Sequence, residues 1–158
     1  MDRSKDREEN REKAREYAAG ARQYYESAKA ADAVVGHWKG YEIVAPFSVM
    51  ALTAHSIELS LKSYLLHSGE KDLRNKYGHS LVCAYAKVEE IESERGGTLP
   101  QIDDKLLAII DDLHRNHTLR YSEPSKHGRY PVFGPLQELA EAFLDMCDAP
   151  SAEELSGA

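Results

Sequence analysis

Two cysteines, one tryptophan and three phenylalanines in 158 residues leave little room for several protein classes. A pair of thiols cannot build the disulfide framework of a small secreted domain. Cys83 and Cys147 fall on apolar faces of the sequence pattern and are expected as buried thiols in a reducing compartment. No apolar run approaches the roughly 18 residues needed to span a bilayer. The opening MDRSKDREENREK has no apolar centre of the kind a secretory signal carries. A cytoplasmic protein without a membrane segment is expected. Gly96 and Gly97 have no strand before them and no Lys-Ser/Thr after them, so they are not a phosphate-binding glycine loop. Alternating strand patterns, internal repeats and sustained heptads are also missing. The net charge of −7 argues against binding nucleic acid over the whole surface.

What is present is helical periodicity. Residues 47–68 place Phe47, Met50, Ala54, Ile57, Leu61 and Leu65 at three-and-four spacing, with Leu52, Leu59 and Leu66 forming a second row. A helix apolar on most of its circumference belongs at the centre of a bundle. Residues 2–16 carry six acidic and six basic side chains, a solvated helix start. Ala14, Tyr17, Ala18, Ala21, Tyr24, Tyr25 and Ala28 then give that first helix an inward face to about residue 33. Trp38 lies between Gly36 and Gly40 and reads as a lid over the core or, alternatively, a ligand platform. Further helices are expected at about 79–94 (Leu81, Val82, Tyr85, Val88 and Ile91 inward), 102–117 and 136–147. Pro124, Gly128, Pro131, Gly134 and Pro135 exclude a regular helix between the last two. The expected architecture is an all-α, up-and-down bundle of four to five helices. It forms one domain over residues 1–148, with 1–12 a charged start and 149–158 a tail with no reason to order.

The central helix also carries His55, Glu58 and Lys62. Glu58 and Lys62 stand at i, i+4 in the favourable order. They form either a solvated seam or a structural polar cluster that orients other residues in the bundle. Between Arg115 and Tyr130 four basic residues, Arg115, Arg120, Lys126 and Arg129, face Glu123 alone. That island is a candidate anion site, or a loop whose arginines pair with surface carboxylates. His114 and His117 read as surface residues at a helix end. With no Glu-x-x-His or His-Glu-x-x-His pair in the chain, neither a metal site nor a cofactor is expected.

Arginine paired with histidine can cleave RNA without metal. The guanidinium neutralises charge on the phosphate oxygens while the imidazole moves a proton near neutrality. Two spacings qualify, Arg74 with His79 and Arg120 with His127. His79 opens a helix whose unpaired N–H groups would help it seat an anion. Otherwise it simply packs on Tyr77 or Tyr121.

Three segments, AHSIELSLKSYLLHSG, KYGHSLVCAYAKVEE and HTLRYSEP, carry a further pattern. Ala54, Glu58, Leu61, Lys62 and Leu65 on one helix are followed by Gly78, His79 and Leu81, then by Arg120 and Tyr121. In this order the chain resembles the HEPN superfamily (higher eukaryotes and prokaryotes nucleotide-binding) over roughly residues 45–145. The resemblance implies a bundle of four or five antiparallel helices, commonly a homodimer. It also implies association with RNA, a nucleotide, or a protein partner such as an antitoxin or nucleotidyltransferase in a toxin–antitoxin or defence system. Ribonuclease members carry Arg and His separated by four to six residues where the late helices meet. Here Arg74 and His79 stand too early, and Arg120 is followed by Tyr121 and separated from His127 by Pro124. The nearer branch has the Arg-Tyr element and is not nucleolytic by default. The expected function is a binding module using His79, Arg74, Arg115 and Tyr121. The alternatives are a metal-independent ribonuclease with Arg120 and His127 as catalytic residues, or a ligand-free homodimeric scaffold.

Overall fold

A small-residue stripe decides how the first two helices meet. A computed structural model of the chain describes residues 3–121 and 129–157, without the Tyr121 side chain. Its elements are α1 (Arg3–Val35), α2 (Phe47–His67), α3 (Leu73–Tyr77), α4 (Leu81–Arg95), α5 (Asp104–Arg115), α6 (Thr118–Tyr121), α7 (Phe133–Met146) and α8 (Ala152–Ser156). Among the described residues there is no strand, and no helix is long and apolar enough to cross a membrane. On α1 the buried positions are Ala14, Ala18, Ala21, Tyr25 and Ala28. Opposite them α2 buries Ser56, Ser60 and Ser63. Ser56 Oγ donates to the Ala21 carbonyl and Ser63 Oγ to the Ala14 carbonyl, each at 2.7 Å. Moving up α2 therefore means moving down α1, so the two helices run antiparallel with backbones in close approach.

The helix α2 packs against α1, α4, α5, α6 and α7. Its Val49, Ala54, Ile57, Leu61 and Leu65 are wholly buried with Leu81 of α4, Ile110 and Leu113 of α5, and Leu136, Phe143 and Leu144 of α7. The all-α expectation and the central place of α2 agree with this packing. Pro135 falls in the first turn of α7, where no intrahelical N–H bond is lost, so that helix begins three residues earlier than expected.

Several expectations need correction. Residues 149–157 are ordered: Ser151 and Glu154 form a reciprocal capping box that starts α8. Arg22 Nε donates to the Pro150 carbonyl at 2.8 Å, holding the segment to α1. Trp38 is no lid, being 60 % exposed. Its connector makes local turns, while Ala45 N–H bonds the Pro131 carbonyl and closes that end of the bundle. Cys83 is exposed and Cys147 only half-buried, and Val82 faces outward at 41 % exposure. The helix α4 starts at Leu81, two residues later than expected; Leu81, Tyr85, Val88 and Ile91 face inward as expected, and Ala84 takes the place expected for Val82.

Candidate functional site

Glu58 sits at mid-length of α2 on the face toward α4 and α5, buried to 5 % exposure. A charge that deep requires partners, and it has three. Lys62 Nζ, one turn along α2, donates to Oε1 at 2.6 Å. His79 Nδ1, in the loop before α4, lies 3.1 Å from the same oxygen. His114 Nε2, near the end of α5, lies 2.6 Å from Oε2. His55 Nδ1, one turn back on α2, stands 3.9 Å from Oε2, beyond hydrogen-bonding distance. Burial pushes the Glu58 carboxyl up, but the hydrogen bonds from His114 and Lys62 and their charge outweigh it and hold the group at about 2. Burial pushes His55 down, partly opposed by the charge on Glu58.

Above this carboxylate the imidazoles form an open cleft of about 300 Å³, lined by His55, His79, His114, His117, Tyr24 and Arg120 together with apolar side chains of α2 and α6. The rings contact edge to face: His79 is 5.9 Å from His114 and 6.0 Å from His117 between centroids. Tyr24 of α1 packs on His55 at 4.3 Å. Arg120 reaches the cleft because the chain reverses at His117, whose φ is +59°. That left-handed residue folds α6 back against α2 and α5. Held by a non-glycine residue, the conformation costs about 1–2 kcal/mol.

The sequence-derived residues divide between this cleft and other places. His55, Glu58, Lys62 and His79 come together, and Arg120 joins them. Arg74 does not. It lines a separate groove of about 420 Å³ with Lys13, Lys62 and Lys71, so the Arg74–His79 pair is split between two hollows. Arg115 lies alongside Asp111 and Asp112 at 3.6 and 3.8 Å and is engaged within its own helix. His127 and the Tyr121 side chain lie outside the described residues. The N–H groups at the start of α4 do not await an anion, because Asp111 of α5 fills that place. Its Oδ1 accepts from Leu81 N at 2.6 Å and Val82 N at 3.3 Å, while Ser80 caps Cys83 N.

No protein-family model, curated protein or solved structure matches the chain. What the cleft can hold follows from its own donors and charges.

Two members escaped the sequence reading. His114 was expected on the surface, yet it is the shortest contact of Glu58 along with Lys62. His117 was expected there too, as a further donor of the basic island, and it lines the cleft while forming the turn. For His114 a signal existed: on α5 the inward residues Leu106, Leu107, Ile110 and Leu113 define a stripe beside which Asp111 and His114 also lie. Polar residues at core positions of a strongly amphipathic helix mark internal partners.

Proposed function

We propose that the chain is a HEPN-like helical module that binds a phosphate-bearing ligand, single-stranded RNA or a nucleotide, in the histidine cleft. The observation that carries this reading is the convergence of Arg120 with His55, His79, His114 and His117 on one hollow of about 300 Å³. Guanidinium and imidazole N–H groups are the donors that phosphate oxygens accept from. The carboxylate beneath them is already paired with Lys62 and in contact with His79 and His114, so it opposes an incoming anion only weakly. A hollow of this size suits one nucleotide's phosphate and sugar. Longer RNA would run over the adjoining surface.

The HEPN resemblance adds a homodimer, with the late helices as the contact, and a toxin–antitoxin or defence setting. Light scattering at tens of micromolar protein tests the dimer.

Binding is tested by fluorescence anisotropy with labelled oligoribonucleotides, competed by free nucleotides, in chelator and at two salt concentrations. Affinity is expected to fall with salt in proportion to the phosphates contacted, and Arg120→Ala is expected to weaken it. Binding that is absent at low salt, or untouched by Arg120→Ala, overturns the reading.

A metal-independent ribonuclease is the second reading, favoured by Arg120 sharing a hollow with histidines able to move a proton. Cleavage of RNA in chelator that is lost in Arg120→Ala supports it. Intact RNA after prolonged incubation with wild type removes it.

A further inference from the structure

Two histidines and a carboxylate bring three metal-ligating atoms close together between α2 and α5. His55 Nδ1, a Glu58 carboxylate oxygen and His114 Nε2 all lie within 4.8 Å of one another. We infer that these three side chains form a binding site for a divalent transition-metal ion of the zinc type.

The donor set selects the metal. Two imidazole nitrogens and one carboxylate oxygen suit Zn²⁺, Ni²⁺ or Co²⁺, whereas Mg²⁺ and Ca²⁺ require shells of oxygen. Backbone geometry supplies two of the ligands together. His55 and Glu58 are at i, i+3 on α2, one turn apart on the same face. His114 arrives from the facing helix and closes the triangle.

The distances also fit. Ligand atoms about 2.0–2.2 Å from a zinc ion stand about 3.3 Å from one another. Glu58 Oε2 is 2.6 Å from His114 Nε2 and 3.9 Å from His55 Nδ1. The first has to lengthen and the second to shorten by about 0.6–0.7 Å each on this scale, and the two imidazole nitrogens, within 4.8 Å of one another, have to close on the ion as well. The His55 side chain is 39 % exposed and has the freedom to swing. On binding, the proton on His114 Nε2 leaves that nitrogen, for Nδ1 or for solvent, and the lone pair so freed is directed at the ion.

The other carboxylate oxygen is already taken. Lys62 and His79 hold Oε1, so Glu58 offers Oε2 alone, as a single-oxygen ligand fixed by its outer contacts. Three protein ligands leave the remaining coordination positions to water or to a ligand in the cleft, the pattern of an open site. His79, His117 and Arg120 border that open side. The inference stands apart from the phosphate reading, which is tested in chelator.

The test uses the full chain, stripped with chelator and dialysed. Zn²⁺ is titrated by calorimetry in buffers of different ionisation enthalpy, and Co²⁺ by its visible absorption. One equivalent bound per chain, with a Co²⁺ spectrum of low-symmetry nitrogen and oxygen ligation, is expected. His55→Ala and His114→Ala are each expected to abolish that equivalent, and His37→Ala, a change to an exposed connector histidine, to preserve it. Far-UV circular dichroism checks each variant. Should His114→Ala unfold, His55→Ala at the more exposed ligand decides. No stoichiometric Zn²⁺ binding, or binding retained in His55→Ala, overturns the inference.

Discussion

Glu58 Oε2 and His114 Nε2 meet at 2.6 Å, tying the middle of α2 to the last turn of α5 across 56 residues of chain. Around this contact the polar part of the core is organised.

Glu58→Ala removes the shared partner of Lys62, His79 and His114 at once. Leaving a buried cation unpaired costs on the order of 3 kcal/mol. Glu94→Ala, at an exposed position of α4, is expected to stay within about 0.5 kcal/mol of wild type. Urea unfolding of both proteins measures the difference, and equal midpoints would contradict the structural role given to Glu58.

Acid should unfold the protein in two stages when metal is chelated. The imidazole of the unfolded chain takes a proton as pH falls through 6.5, while burial keeps His55 neutral in the fold to lower pH. Stability therefore begins to decline there. Glu58, held at about 2 against an ordinary 4.5, contributes stability that is complete above pH 4.5 and lost as pH falls toward about 2. The second stage is worth on the order of 3 kcal/mol. Urea midpoints measured from pH 8 downward should show both, with Glu58→Gln flattening the acid stage and His55→Ala the earlier one.

Asp111→Ala leaves the first N–H groups of α4 without their acceptor. Hydrogen bonds from backbone N–H to a buried charge are worth about 1.5–3 kcal/mol, so a loss of about 2 kcal/mol is expected. Hydrogen exchange at the Leu81 and Val82 amides should quicken more than at the Val88 amide. Uniform quickening along α4 would argue against a local capping role.

His117→Gly separates the turn from the imidazole. Glycine adopts φ +59° without strain, so stability should hold or rise by up to about 1 kcal/mol. Ligand binding in the cleft should weaken in the same variant. His117→Val, β-branched at a positive φ, should instead lower the melting temperature.

The legible part of this molecule was what helical periodicity encodes. The α2 stripe, the alanine face of α1 and the Glu58–Lys62 pair all follow from residues three or four apart, where sequence distance and spatial distance agree. His114 and Asp111 act on residues 56 and 30 positions away, so their partners depend on how α5 is laid against α2 and α4. The start of α4 was misjudged because His79 looks like a helix start, whereas Ser80 supplies the capping oxygen. Trp38 misled for a similar reason: hydrophobicity argues for burial, but a connector that satisfies its own turns need not deliver its side chain to the core. Arg74 was read by its spacing to His79 and Arg115 by its charge, and only the fold shows that one faces another groove and the other its own helix's carboxylates.

Lys62 borders one hollow and braces the carboxylate behind another. Its side chain lines the groove of Lys13, Lys71 and Arg74, which Asp6, Glu9 and Asp72 also line, and its ammonium ends on Glu58, the buried partner of His79 and His114. Substituting Lys62 therefore reaches two places at once: it takes a cation from that groove and a partner from the carboxylate on which His79 and His114 rest.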